Sequence, residues 1–259
     1  TGHVNPDGDC LGSVLGLGLT LLEAGKKVTM AIDDDLPDRL SYMPGFDLIR
    51  REVEGDQFDL FIMVDIGDRR RLGETAAYLD SAKASICIDH HATNEMICDI
   101  NLVEKSASST CEMLGELLME GPYLVPADGA TALYTGLTTD SNRFLYKTAR
   151  QDAMRVGADL LDLGADVDTI YLHEFQTLDS KLIAFTGHIV ENALYLHEGK
   201  VALANLTEEL LEKYKLEMSD GETVVDTLKN LEGVEVACII KDRGDKDQKV
   251  SLRSKAYYN

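Results

Sequence analysis

The chain reads as an α/β protein, a doubly wound and mostly parallel sheet followed by a smaller α+β region. Three observations carry that reading. Short apolar runs at Lys27–Ile32, Phe58–Asp65 and Ala84–Asp89 alternate with helix-length stretches, as strand–helix–strand units require. The second and third runs are apolar almost throughout, as strands covered on both faces must be. Beyond Asn192 the order changes to strand, strand, helical region, strand, strand, which suits a separate small sheet.

Taken in order, a strand is expected immediately before His3, and Leu11–Ala24 is a helix stopped by Gly25. Gly12, Gly16 and Gly18 are costly inside a helix and imply close packing against the sheet. Lys27–Ile32 is a strand, and Asp33-Asp34-Asp35-Leu36-Pro37 is a solvated loop. Leu40–Arg51 contains Pro44-Gly45, so it reads as a short helix and a turn. After the Phe58–Asp65 strand, Asp68-Arg69-Arg70-Arg71 reads first as a charged surface turn and second as three arginines that help hold an anionic ligand, and Gly73–Ser81 is helical. Met96–Leu102 is a further strand. Ser106–Thr110 supplies N-caps for a helix over Cys111–Met119. Pro126–Thr138 is a helix with Pro at its start, and Ala149–Leu163 is the next. A boundary at Gly164–Asp168 gives three parts: residues 1–164, a helical linker at 165–190, and a C-terminal domain at 191–259. In that domain two strands lead to a helical region at Thr207–Asn230. Strands Val234–Lys241 and Lys249–Ser254 follow, joined by a turn at Asp242-Arg243-Gly244-Asp245.

Lys plus Arg is 25 and Asp plus Glu is 46, a formal charge of −21. That balance argues against coating long nucleic acid, which needs a basic stripe. It leaves short anionic ligands open, because bound cations invert a local field. Five cysteines with no Cys-x-x-Cys pair read as reduced thiols, the usage of a cytoplasmic protein. No stretch is long and apolar enough to span a bilayer. The first residue is Thr1 rather than Met, so the true start is expected upstream.

The opening stretch His3-Val4-Asn5-Pro6-Asp7-Gly8-Asp9 sets one imidazole and two carboxylates around turn dipeptides, just before a helix. These are ligand types for a divalent ion such as manganese, although an Asx-rich turn with Asp9 as helix cap accounts for the same residues. Two strands end in polar residues of the same kind, one in Asp65 and one in Asp89-His90-His91. In open α/β sheets that edge binds ligands.

These motifs, with Thr139-Asp140 and Ser251-Leu252-Arg253-Ser254, resemble the DHH phosphoesterase family in order and spacing over nearly the whole chain. Within the family the chain looks most like the enzymes that hydrolyse short oligoribonucleotides and 3′-phosphoadenosine 5′-phosphate. The resemblance implies two divalent ions, manganese first, with magnesium or cobalt as substitutes. His3, Asp7 and Asp65 would hold one ion, and Asp9, Asp65, His90 and Asp140 the other, with Asp65 bridging. Asp89 would orient His90 through its other ring nitrogen, and His91 would touch the phosphate or leaving oxygen. Arg253 would reach the phosphate from the C-terminal domain, across a cleft. The implied substrates are short RNA oligonucleotides or nucleotide phosphates, with no membrane partner and with a homodimer allowed.

Two departures from the family pattern are visible. Ser141-Asn142 stands where Thr-Gly is usual, and no Gly-Gly-Gly-His loop occurs before Asn259, so part of the substrate surface is expected to lie outside these residues. Cyclic-dinucleotide phosphodiesterases, single-strand exonucleases and manganese pyrophosphatases share the metal motifs. A nucleotide-binding regulator without catalysis is the alternative of another class. His173, His188 and His197 lack suitable carboxylate neighbours and read as packing or surface residues.

Overall fold

Phe61–Val64 (β3), Ser85–Asp89 (β4) and Ile100–Val103 (β5) form an all-parallel sheet in the order β3-β4-β5. Side chains alternate across a strand, and here each face meets its own core. Val64 and Ile88 pack with Leu11, Leu15, Leu114 and Leu133 on one face. Phe61, Met63 and Cys87 pack with Ile66, Leu72 and Tyr78 on the other. This double cover is why β3 is apolar along its whole length and β4 is apolar between Ser85 and Asp89. The computed structural model describes residues 1–53, 57–218, 220–222, 224–242 and 248–255.

Two units are distinguished, Thr1–Gln176 and Thr177–Asn259. The division falls later than the boundary suggested at Gly164–Asp168. Helix Val167–Phe175 (α6) places Ile170 in the first core, whereas Ser180–Asn192 (α7) places Phe185 and Ile189 in the second. The expected helical linker is thus shared between the units.

In the first unit, Gly8–Glu23 (α1) is antiparallel to Ala127–Asp140 (α4) along a glycine seam. A Cβ on Gly12 would stand 2.6 Å from the carbonyl oxygen of Ala132, and one on Gly16 would meet Leu133 at 2.4 Å. The glycines therefore admit a helix, not the sheet; of the three, Gly18 alone faces a strand residue, Met30. The strand expected at Lys27–Ile32 narrows to Met30–Ala31 (β1), paired in parallel with Ile49–Arg50 (β2). Ile49 is thereby a strand residue rather than part of a turn. The N-terminal residue runs beside β3: its ammonium donates to the carbonyl of Ile62 at 2.8 Å, and its carbonyl accepts from Val64 at 3.0 Å. Ala76–Ser81 (α2) follows a 3-10 segment at Arg69–Thr75, and Thr110–Glu120 (α3) and Gln151–Asp162 (α5) complete the layer.

The second unit has a sheet of its own, as expected, and that sheet is mixed. Leu194–Leu196 (β6), Val201–Leu206 (β7), Val236–Asp242 (β8) and Gln248–Ser254 (β9) pair in that order, antiparallel, parallel and antiparallel. Ala202, Ala204, Ala237 and Ile239 bury one face with residues of α7, Glu208–Tyr214 (α8) and Val224–Asn230 (α9). Most of the turn expected at Asp242–Asp245 lies outside the described residues. Among the described residues no helix is long and apolar enough to cross a membrane. All five cysteines are free thiols.

Candidate metal centre

The polar residues singled out in the first unit converge where β3 and β4 end, α1 and α3 begin, and α4 stops. Asp7, not Asp9, caps α1, its Oδ1 accepting the N–H of Cys10 at 3.1 Å. Asp9 is left in the first turn and reaches a second helix start. Its two oxygens accept the N–H groups of Thr110 at 2.7 Å and Cys111 at 2.9 Å. A carboxylate at helix N-termini is favoured by the exposed amide dipoles. Each oxygen keeps a further lone pair for another partner.

Asp65 adopts φ +59°, the left-handed region that non-glycine residues rarely enter. The conformation is held by the backbone bond from its N–H to Ile88, at 3.0 Å, and by the Thr110 hydroxyl, which donates to Oδ1 at 3.0 Å. The result is that the two oxygens of Asp65 face different groups. Oδ2 lies 3.4 Å from Nε2 of His3, which in turn is 3.9 Å from Oδ1 of Asp7. Oδ1 lies 3.6 Å from Nε2 of His90, which stands 3.6 Å from Asp140 and 3.9 Å from Asp9.

The two adjacent histidines are held differently from what the sequence suggests. Asp89 accepts from Nδ1 of His91 at 2.6 Å, while Nδ1 of His90 stands 3.4 Å from the carbonyl of Ala107. The expectation that Asp89 orients His90 is therefore corrected. Side chains two apart at the end of an extended segment lie on the same side, so His91 rather than its neighbour returns to Asp89. Asn94 secures the other Asp89 oxygen at 2.6 Å and also donates to Ile66.

Burial sets the protonation pattern. It pushes Asp9 and Asp65 well above the ordinary carboxylate range, and the nearby carboxylates add to that: Asp65 and Asp140 for Asp9, Asp7 and Asp140 for Asp65. Burial raises Asp140 too and lowers His3. At Asp89 burial is overcome by the hydrogen bonds from His91 and Asn94, which bring it below the usual value. The same bond to Asp89, with the charge of Asp65, raises His91 to about 9.

These observations meet the requirements of a cation site. Asp9 and Asp65 are each 2 % exposed, and clustered buried carboxylates ionise together only beside a compensating charge. Ligand atoms of Asp9, His90 and Asp140 lie within 4.8 Å of one another, as do those of Asp65, His90 and His91, and those of His3, Cys10 and Asp65. Cys10 was not anticipated. Its thiol is fully buried, accepts the N–H of His3 at 3.2 Å, and is raised well above its usual value by burial and by Asp65, so it packs as a neutral group.

Thr110 and Asn94 also escape a reading of the sequence, and so does the contact of Arg71 with His3. The Ser/Thr-rich run before α3 gave a signal that capping accounted for, and the three arginines at 69–71 gave another, as an anion contact set behind a charged surface turn. Arg253 lies in the second unit on β9 opposite Ala237. Its guanidinium donates to the carbonyl of Leu252 at 3.1 Å and stands 3.8 Å from Asp226. Of the remaining histidines, His173 stacks on Tyr42 at 4.5 Å and His188 lies against Tyr214, consistent with packing roles.

Residues 1–137 match the DHH family, N-terminal domain. The chain belongs to the DHH family. It is 27% identical over 259 residues to the bifunctional oligoribonuclease and PAP phosphatase NrnA of Bacillus subtilis, covering 98% of this chain and 80% of that protein. It is 26% identical over 255 residues to the probable protein of the same name from Streptococcus mutans, with the same coverage. Among solved structures, an exopolyphosphatase-related protein from Bacteroides fragilis superposes with a TM-score of 0.88 at 29% identity, over 98% of this chain and 77% of that one. The DHH chain described here is therefore a hydrolytic phosphoesterase, a class that depends on metal ions.

Proposed function

We propose that the protein is a manganese-dependent phosphoesterase that hydrolyses short oligoribonucleotides to 5′-mononucleotides and 3′-phosphoadenosine 5′-phosphate to AMP. The observation that carries this reading is the division of Asp65, whose Oδ2 serves the His3–Asp7 side and whose Oδ1 serves the His90–Asp9–Asp140 side. Two divalent ions, one on each side, would supply positive charge against the phosphoryl oxygens and acidify an attacking water, and a mixed imidazole–carboxylate set suits manganese. The protein's own residues fix the rest. Asp9, tied to the start of α3, and Asp65, tied to Thr110, hold the carboxylates in place before substrate arrives. Asp89 accepts the Nδ1 proton of His91 and so orients the ring, which makes His91 the residue assigned to the phosphate or leaving oxygen. Arg253 contributes a guanidinium for phosphate oxygens.

The activities named for the Bacillus and Streptococcus relatives support the substrate class. A second reading, cleavage of a cyclic dinucleotide, is favoured by a match to the cyclic-di-AMP phosphodiesterase PdeA of Listeria monocytogenes. That match is 26% identical and spans all of this chain but only 41% of that protein. Release of mononucleotide from linear di-adenylate, measured beside cyclic di-AMP with Mn2+, Mg2+ or Co2+, tests both. Faster turnover of the linear substrate is expected. Turnover of the cyclic one alone would favour the second reading, and turnover of neither would overturn both.

A further inference from the structure

The three arginines after β3 do not behave alike. Arg69 donates to Asp80 at 2.6 Å, and Arg70 is paired with Asp68, as a charged surface turn requires. Arg71 makes no ion pair with a described carboxylate. Its carbonyl accepts the N–H of Val4 at 2.9 Å, which fixes it against the opening loop, and Nη2 of its guanidinium lies 2.8 Å from Nδ1 of His3.

Nδ1 lies 2.8 Å from both Arg71 and the Val4 carbonyl and can bond only one of them in a given tautomer; the bond to Arg71 is the one incompatible with ion binding by His3. A guanidinium only donates, so the bond to Nδ1 needs the lone pair there and puts the ring proton on Nε2. Nε2 is the nitrogen that faces Asp65 and Asp7. An ion on Nε2 requires the opposite tautomer, with the proton on Nδ1 and donated to the carbonyl of Val4, which is also 2.8 Å away. Arg71 would then confront an N–H and must turn aside. Turned from His3 and paired to no described carboxylate, its guanidinium is available to an anion at this rim.

We propose that Arg71 is a phosphate-binding residue, held on His3 while the site is empty of metal and transferred to a phosphoryl oxygen of the substrate once His3 takes an ion. The proposal rests on the metal-dependent phosphoesterase reading above, and it adds a residue that orders metal before substrate. A forked guanidinium suits tetrahedral phosphate as no other side chain beside His3 does.

The test uses Arg71→Gln and Arg71→Lys, with inorganic phosphate as the probe. Calorimetric titration should show Mn2+ binding to Arg71→Gln at least as tight as to the parent. The Mn2+-loaded variant should bind phosphate about ten- to a hundredfold more weakly, the worth of one charged hydrogen bond, with Arg71→Lys between the two. Nitrogen-15 spectra of the parent should place the His3 proton on Nε2 without metal and on Nδ1 with Zn2+. Unchanged phosphate affinity in loaded Arg71→Gln would overturn the proposal. So would weakened Mn2+ binding, which would make Arg71 a support for His3. Because these are binding measurements, failure to hydrolyse di-adenylate would remove the substrate reading and leave this one standing.

Discussion

Asp65 combines a left-handed backbone, near-complete burial and two differently directed oxygens. Asparagine tolerates that backbone region better than most residues, so Asp65→Asn should fold while removing the shared charge. Metal analysis should find fewer than two Mn2+ per chain and hydrolysis reduced by orders of magnitude. Two retained ions would remove Asp65 from its bridging role. The Asp89–His91 pair makes a prediction about pH. His91 is raised from 6.5 to about 9, so its folded form binds the proton more tightly than the unfolded chain. The stabilisation is fully present below pH 6.5 and lost as pH rises through about 9. Thermal melts of the metal-free parent and Asp89→Asn should therefore differ most just below pH 6.5, draw together as the pH rises, and converge above pH 9. A gap that persists at high pH would show that Asp89 acts through packing alone.

At the scale of elements, the site depends on how closely α1 approaches α4. Gly8 and Gly12 let the start of α1 meet the end of α4, and this brings Asp9 within 4.8 Å of Asp140 and sets the charge of Asp7 to act on it. In Gly12→Ala the new Cβ would fall 2.6 Å from a backbone oxygen that cannot rotate away. Overpacking of this kind costs about 1–3 kcal/mol. The variant should melt at a lower temperature and bind Mn2+ more weakly, although no ligand is altered. A lower melting point with unchanged Mn2+ affinity would show that the seam supports stability only. The existence of most helices was legible in the sequence because caps and periodicity are local. Their partners were not, since a glycine in a helix permits close packing without naming what packs.

For the whole molecule, the charge of −21 acts on every polyanion that approaches. Its field extends about 10 Å at 0.1 M salt and farther at low salt. A dinucleotide presents little charge outside the site, whereas a long strand meets the acidic surface along its length. Hydrolysis of di-adenylate should therefore exceed that of a long single-stranded RNA, most at low salt, with the ratio narrowing as salt is added. Equal rates at low salt would sink the short-substrate reading.

The positions of His3, Asp7, Asp9, Asp65, Asp89, His90, His91 and Asp140 follow from local chemistry. Apolar strands that stop at polar residues, and turns that open into helices, announce themselves within a few residues. The sequence by itself therefore determined the α/β class, the family resemblance and the candidate ligands. Tertiary structure decided what each of them touches. Asp89 serves His91 and not His90, Thr110 holds Asp65, and Arg71 leaves the charged turn for His3 while Arg69 and Arg70 keep their acids. Several of these contacts join residues many positions apart, and all turn on side-chain direction. Strand register and helix packing set those directions after the chain has folded, and composition and spacing carry no record of them.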